Sequence, residues 1–251
     1  MIIIPDIHGR TFWKGAVKGR ENEDIVFLGD YLDPYGDEGI TYGQALQNFE
    51  AIIKFRDKHP ENVTLLIGNH DQQYFIPDCD PGGRYSWAYA KRYSKLFIDN
   101  RKKFLIAVER WFGNQKYIFS HAGFLDKWVA LLDIRKGSLC DNLNNMYLSN
   151  NYALGGYLSC LSWSRHGFDP AGSCTWADVS EHVSGGTQKC VEGAYQIFAH
   201  TRIKEPIVDE CFACLDVSRA FMLGQDCVIK EMDGTPVMKL DELKKKLNDT
   251  V

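Results

Sequence analysis

An α/β fold is predicted by three features of the amino-terminal part of the chain. First, Met1–Pro5, Asp24–Gly29 and Asn62–Ile67 are short, strongly apolar runs of the kind that form buried strands. Second, Thr41–His59, between the second and third runs, carries Leu46, Phe49, Ile52 and Ile53 at the spacing of one helix face. Third, each run ends in a turn carrying carboxylate, imidazole or amide side chains, and in α/β sheets ligands bind outside the carboxyl ends of the strands. Strand, helix, strand, helix, strand is how such a sheet opens.

The remaining elements follow from the same signals. Pro60 stops the long helix. Pro77–Arg84 (PDCDPGGR) is a loop by its proline, glycine and aspartate content. Ser86–Lys103 is an aromatic-rich helix. Phe104–Arg110 and Lys116–Ser120 are strands on either side of a turn at Gly113-Asn114. Phe124–Ile134 and Leu139–Leu148 are short helices. His166–Lys189 is a long Gly- and Ser-containing stretch with little periodicity, and its length suggests a lid over a substrate. Tyr195–Ala199 and Cys211–Leu215 are strands, and the part with turns at Pro206, Gly224 and Gly234 is β. Leu240–Leu247 closes the chain as a helix whose Lys244–Lys246 run is a solvated face.

Composition narrows the classes of function. The 251 residues are 45% hydrophobic and 25% charged, ordinary for one globular domain spanning 1–251. Twenty-nine basic against 33 acidic residues give a net charge of −4, which argues against a broadly basic nucleic-acid surface. No apolar run approaches the roughly 20 residues of a membrane span. Met1–Ile4 is too short for a signal peptide. A soluble, cytoplasmic protein is expected. The eight cysteines lack framework spacing, and Cys211-Phe-Ala-Cys214 lacks the second pair that a zinc site needs. They are expected to be buried, reduced thiols.

Chemistry concentrates at five strand ends. Asp6 and His8 form D-x-H, Asp30 and Asp33 lie in GDYLD, and Asn69, His70 and Asp71 lie in GNHD. His121 follows YIFS and His200 follows YQIFA. D-x-H, SHAG and AHT alone are weak signals and GNHD is a moderately specific one, but all five motifs follow apolar strands. Together they give a nitrogen and oxygen donor set without thiolate, suited to Mn²⁺, Fe or Zn²⁺. His59 and His182 read as surface residues.

D-I-H-G, G-D-x-x-D, G-N-H-D, S-H-A-G and F-A-H-T, in this order from Asp6 to about Phe221, resemble the motifs of calcineurin-like metallophosphoesterases. Within that superfamily the chain most resembles the phosphoprotein phosphatase branch, particularly small bacterial and phage-type serine/threonine phosphatases. The G-H-x-H of the repair nucleases and many phosphodiesterases is absent, because Thr201-Arg202 follows His200. The resemblance implies a four-layer sandwich of two mixed sheets flanked by helices. It also implies two divalent ions, Mn²⁺ foremost with Fe or Zn²⁺ as alternatives. Asp6 and His8 would hold the first ion, Asp30 would bridge both, and Asn69, His121 and His200 would complete the second. His70 would be the general acid, oriented by Asp33. The implied reaction is in-line attack on a phosphate ester by a hydroxide bridging the two metals.

The chain departs from that pattern at one place. The family continues G-D-x-x-D-R-G, and its arginine grips phosphate, whereas Pro34-Tyr35-Gly36 stands here. Arg165, in a W-x-R segment like that of the phage-type enzymes, is the expected phosphate ligand. Arg10, Arg84 and Arg202 are candidates for the missing position, and spacing does not choose among them. The expected substrate is a phosphorylated protein or peptide, or a small phosphoester, with neither stable nucleic-acid nor membrane binding; the oligomeric state is left open. Hydrolysis of a dinucleoside polyphosphate such as diadenosine tetraphosphate is the enzymatic rival, with Tyr85, Trp87 and Tyr89 placed either to stack a base or to pack the rim. An inactive scaffold is the third reading.

Overall fold

The three apolar runs form neighbouring parallel strands, β1 (Ile2–Ile4), β2 (Ile25–Phe27) and β3 (Val63–Leu66). The computed structural model describes residues 1–134, 137–183 and 191–240. The short α1 (Phe12–Val17) links β1 to β2, and α2 (Tyr42–Lys58) links β2 to β3. Thr41 caps α2 reciprocally: its hydroxyl accepts from Gln44 N, and the Gln44 side chain accepts from Thr41 N. Ala45, Asn48, Phe49, Ile52 and Ile53 form the buried face, with Leu46 half-buried at its edge. The single turn α3 (Asn69–Gln72) follows β3. α4 (Ala90–Asp99) and a 3₁₀ turn at Arg101–Lys103 cover most of the helix expected over Ser86–Lys103.

The strand expected over Phe104–Arg110 is divided. β4 (Phe104–Leu105) pairs with β3, whereas β5 (Ala107–Phe112) pairs antiparallel with β6 (Gln115–Ser120) in a second sheet. Ile106 is the passage between them. Its N–H and that of Ala107 both donate to Asn144 Oδ1, at 2.8 and 3.4 Å, and Asn144 Nδ2 donates to Ala107 O at 2.8 Å. One amide side chain thus replaces the ladder partners that neither sheet supplies at the crossing. α5 (Asp126–Val129) is shorter than the helix expected over Phe124–Ile134, while α6 (Leu139–Leu148), which carries Asn144, has the expected bounds. α7 (Ala153–Leu158) was not expected; it carries Gly155-Gly156, residues that disfavour a helix. A Cβ at Gly155 would collide with Pro77 O, so glycine permits the close pass beneath the 77–84 loop.

The chain continues through α8 (Val179–Glu181), β7 (Tyr195–Phe198), β8 (Ile207–Val208), β9 (Phe212–Cys214), β10 (Phe221–Leu223) and β11 (Ile229–Glu231). The first sheet has the order β11-β10-β1-β2-β3-β4 and the second β5-β6-β7-β9-β8. Both are mixed: β1 to β4 run parallel, with β10 antiparallel to β1 and β11 antiparallel to β10, and β6, β7 and β9 run parallel between antiparallel edges. Successive side chains of a strand point to opposite faces. Ile2, Ile4, Ile25, Phe27 and Leu65 accordingly pack with Trp13, Phe49, Ile52 and Phe97 of the helices. Ile3, Val26 and Leu66 turn the other way and join Phe119, Ile197 and Ala213 of the second sheet. Phe198, Phe212 and Cys214 pack with Val179 on the outer face of that sheet. Helix, sheet, sheet, helix is the expected sandwich.

No helix among the described residues is long and apolar enough to cross a membrane. Beyond Leu240, the expected last helix and its lysine run lie outside the described residues, as do residues 184–189 of the 166–189 stretch. Within that stretch Ala171, Ser173, Cys174, Thr175, Ala177 and Val179 are buried, so its middle is packed structure rather than a free loop. His182 corrects the expectation of a surface residue: it is buried, stacked on Phe198 with 4.4 Å between ring centroids. The expectation of buried, reduced thiols holds at Cys79, Cys140, Cys174 and Cys214. Cys160 and Cys227 are free but half-buried and exposed, respectively. Cys211 is disulfide-bonded, and because Cys214 is free, the C-x-x-C does not close on itself.

Candidate active site

The polar strand ends meet where the carboxyl ends of the two sets of parallel strands face each other. Asp6 and His8 follow β1, Asp30 follows β2, Asn69 opens α3 behind β3, and His121 and His200 follow β6 and β7. All six are buried. Hydrogen bonds stitch the two sheets together here: His121 Nδ1 bonds to Leu28 O at 2.8 Å and His200 N to Asp6 Oδ1 at 3.3 Å. His8, Asp30, Asp33 and His200 all have positive φ, between 42° and 64°. Such backbone is uncommon outside glycine, and it clusters at functional sites where the fold over-determines it. At Gly68 a Cβ would collide with the Asp30 carboxylate, which explains the glycine of GNHD.

Two triads share one carboxylate. Asp6, His8 and Asp30 form one and Asp30, His121 and His200 the other, with the ligand atoms of each within 4.8 Å of one another. Asp30 Oδ2 lies 3.3 Å from His8 Nε2 and 3.5 Å from His121 Nε2. Asn69 Oδ1 is 3.0 Å from both His121 Nε2 and His200 Nδ1. The outer nitrogens of two imidazoles are fixed by main-chain carbonyls, His8 Nδ1 by Leu32 O and His121 Nδ1 by Leu28 O, each at 2.8 Å. Those bonds place the protons on Nδ1 and turn the Nε2 lone pairs into the cluster, as metal-binding histidines require.

At Asp6, His8 and His200 the electrostatics favour the same protonation states. Burial raises the Asp6 carboxyl, but His121 and then His8 bring it down to about 2. Burial lowers His8, and burial, Arg165 and His121 lower His200 well below the ordinary histidine value. Anionic carboxylates and neutral imidazoles are the metal-binding forms. Asp6 Oδ2 and His200 Nε2 are buried without a hydrogen-bond partner, a costly condition that a cation at the cluster would relieve for the carboxylate. The donor set therefore fits a pair of divalent ions, with no thiolate among its members.

Beside the triads, His70 Nδ1 lies 3.0 Å from Asp33 Oδ2. Asp33 also accepts from Gln73 Nε2 at 2.6 Å and Tyr74 OH at 2.5 Å. His70 Nε2 accepts from Arg84 at 2.9 Å. Arg165 stands on the His200 side, 2.9 Å from Thr201 Oγ1 and 3.0 Å from Asp178 Oδ2. Trp176 forms part of the same wall, 5.7 Å from the His200 ring. Tyr85 stacks on Tyr74 and Tyr89 on Tyr42, while Trp87 packs on Tyr85 with most of its surface exposed.

The roles of several residues, Asp71 of GNHD among them, escaped the sequence reading. Asp71 accepts from the backbone N–H groups of Asp30, Tyr31 and Gly68 at 2.7, 3.0 and 2.9 Å, tying the GDYLD turn to the GNHD turn. Asp216 is buried against Asp6, and burial, then Asp6, push its carboxyl well above the usual range. It follows β9, so extending the strand-end rule to Cys211–Leu215 would have found it. Gln73 and Tyr74 carry no sequence signal of their own.

Residues 2–201 match the family described as calcineurin-like phosphoesterase. No curated protein sequence matches the chain. Among solved structures, a cold-active protein-tyrosine phosphatase of the psychrophile Shewanella sp. superposes with a TM-score of 0.60 at 15% identity, covering 94% of this chain and 80% of that one. Another structure of a cold-active protein tyrosine phosphatase gives 0.61 at 16% identity, covering 94% and 77%. At these identities the likeness is one of fold.

Proposed function

This chain belongs to the calcineurin-like phosphoesterase family, and within that family we propose that it is a metal-dependent phosphomonoesterase acting on phosphorylated protein or peptide. The observation that carries this reading is the pair of buried triads sharing Asp30, next to a histidine whose outer nitrogen is bonded to a buried aspartate. In this reading 1–251 is one catalytic domain. Asp6, His8 and Asp30 would hold one divalent ion, and Asp30, Asn69, His121 and His200 the other, with Mn²⁺ the expected metal. When bound, two such ions neutralise phosphate charge and lower the pKa of water toward neutrality.

The protein's own groups would do the rest. Asp33 would hold the His70 proton at Nδ1 and orient the ring, and Nε2, which accepts from Arg84 here, would carry a proton to the leaving-group oxygen as the ester bond breaks once substrate engages Arg84 in its place. Arg165 would hold a phosphoryl oxygen beside His200. The buried walls exclude bulk water, which strengthens each of these interactions. Among the described residues the free thiols of Cys79, Cys160, Cys174, Cys214 and Cys227 support a cytoplasmic setting, and the Cys211 disulfide runs against it.

Turnover of p-nitrophenyl phosphate, a phosphoserine and a phosphotyrosine peptide, and diadenosine tetraphosphate by metal-loaded protein tests the reading. The phosphotyrosine peptide belongs in the panel because the Shewanella protein of this fold is named a tyrosine phosphatase. Turnover of the monoesters ahead of the dinucleotide is expected. Turnover confined to the dinucleotide would make the chain a polyphosphate hydrolase, and none on any substrate would make it a scaffold.

A further inference from the structure

Among the described residues, four arginines stand around the candidate site, and three of them are ion-paired. Arg10 makes two 2.7 Å bonds to Glu38. Arg202 lies 3.3 Å from the same carboxylate and 4.0 Å from Asp37. Arg165 lies 3.0 Å from Asp178. Arg84 has no carboxylate within ion-pair distance among the described residues. Its NH2 donates to the Nε2 atoms of His70 and His8, at 2.9 and 3.3 Å, so the cation sits over the mouth of the site. Its NH1 is buried and has no partner, and a buried donor without an acceptor is costly unless a ligand supplies one.

The support beneath Arg84 is built from the site itself. Its guanidinium lies over the Tyr35 ring, 3.6 Å from the centroid. Arg10 and Arg202 approach the same ring at 5.1 and 4.6 Å, but Glu38 balances both. The loop bearing Arg84 is pinned on each side by residues that also hold Asp33. Gln73 Oε1 accepts from Gly82 N at 2.5 Å, and Tyr74 OH accepts from Ser86 N at 2.8 Å. A displacement of this arginine would therefore strain the bonds that orient His70.

Resting on the reading given above, we propose that Arg84 is the phosphoryl clamp that replaces the arginine missing at Pro34, and that Tyr35 is the positioning residue that holds it. The ligand is the dianion of a phosphate monoester or inorganic phosphate, whose equatorial oxygens accept from NH1 and from an NH2 that exchanges an imidazole nitrogen for phosphate, in the bidentate manner guanidinium favours. Tyr35 acts only through Arg84, presenting a π face that a guanidinium stacks on.

The test uses metal-loaded protein and inorganic phosphate, read by calorimetric binding and by competitive inhibition of p-nitrophenyl phosphate turnover, with metal content measured alongside. Arg84→Ala is expected to weaken phosphate binding about 10- to 100-fold and raise KM similarly with metal content unchanged, and Arg84→Lys is expected to recover part of the loss. Tyr35→Leu should weaken binding about 5-fold, Tyr35→Phe less than about 2-fold, and Tyr35→Leu should add nothing in the Arg84→Ala background. Arg202→Ala should bind phosphate as the parent does. Parental phosphate affinity in Arg84→Ala would overturn the clamp, and a full additional loss on combining the two substitutions would overturn the role of Tyr35. Calorimetry reads the proposal even if turnover is absent from the parent, which would instead be a failure of the phosphomonoesterase reading.

Discussion

Asp33 is fully buried and has no direct part in the two triads, yet three donors converge on it. A carboxylate in that place accepts all three; an amide of the same shape presents an N–H to at least one donor and loses the His70 tautomer. Asp33→Asn is expected to lower kcat about 10²- to 10⁴-fold, with KM and metal content nearly unchanged, because His70 acts on the leaving group rather than on binding. A change confined to KM would contradict that assignment. At this scale the metal-binding candidates were legible because each lies within a few residues of the end of an apolar strand. The roles of Asp71, Gln73 and Tyr74 were not, since their work is to accept from and donate to backbone and side chains brought together only by folding. The choice among arginines was equally hidden: Arg10, Arg84 and Arg202 differ in their carboxylate neighbours, which sequence spacing does not reveal.

The elements that were read correctly are those whose period speaks for itself, such as α2 with its reciprocal cap and β1 to β3 with their continuous apolar runs. Those that were misread depend on contacts made elsewhere. Ile106 is as apolar as its neighbours, and only Asn144 explains why the strand breaks there. Asn144→Leu should cost about 2 kcal/mol, since two backbone N–H groups at buried residues lose their acceptor. Urea denaturation measures this, and a loss well under 1 kcal/mol would mean that the crossing is held by something else. His182 reads as polar surface but packs between Phe198 and the turn after His121, its Nε2 donating to Ala122 O at 3.1 Å. Burial lowers it from 6.5 to about 4. The folded state keeps this ring neutral while the unfolded chain takes up a proton below 6.5. The associated stability is therefore present above pH 6.5 and is lost as pH falls toward 4, by up to about 3 kcal/mol. His182→Gln should flatten the dependence of stability on pH across that window. An unchanged slope would assign acid sensitivity to other groups.

For the molecule as a whole, the two sheets pack through one layer of apolar side chains and bring the ends of β1, β2 and β3 against those of β6 and β7. Neither sheet alone holds the full donor set, because Asp30 reaches His8 on one side and His121 on the other. The α/β class was readable from the order of elements, and the four-layer arrangement was read from the family resemblance carried by the motifs. The central claim is therefore that Asp30 joins two metal positions into one hydrolytic site. Metal-stripped protein should be titrated with Mn²⁺, Zn²⁺ and Fe²⁺, with bound metal and p-nitrophenyl phosphate turnover followed together, beside Asp30→Asn. The account predicts two ions per chain, turnover that returns only as the second ion binds, and loss of both in the substituted protein. One ion per chain, or metal-restored turnover that survives Asp30→Asn, would contradict it.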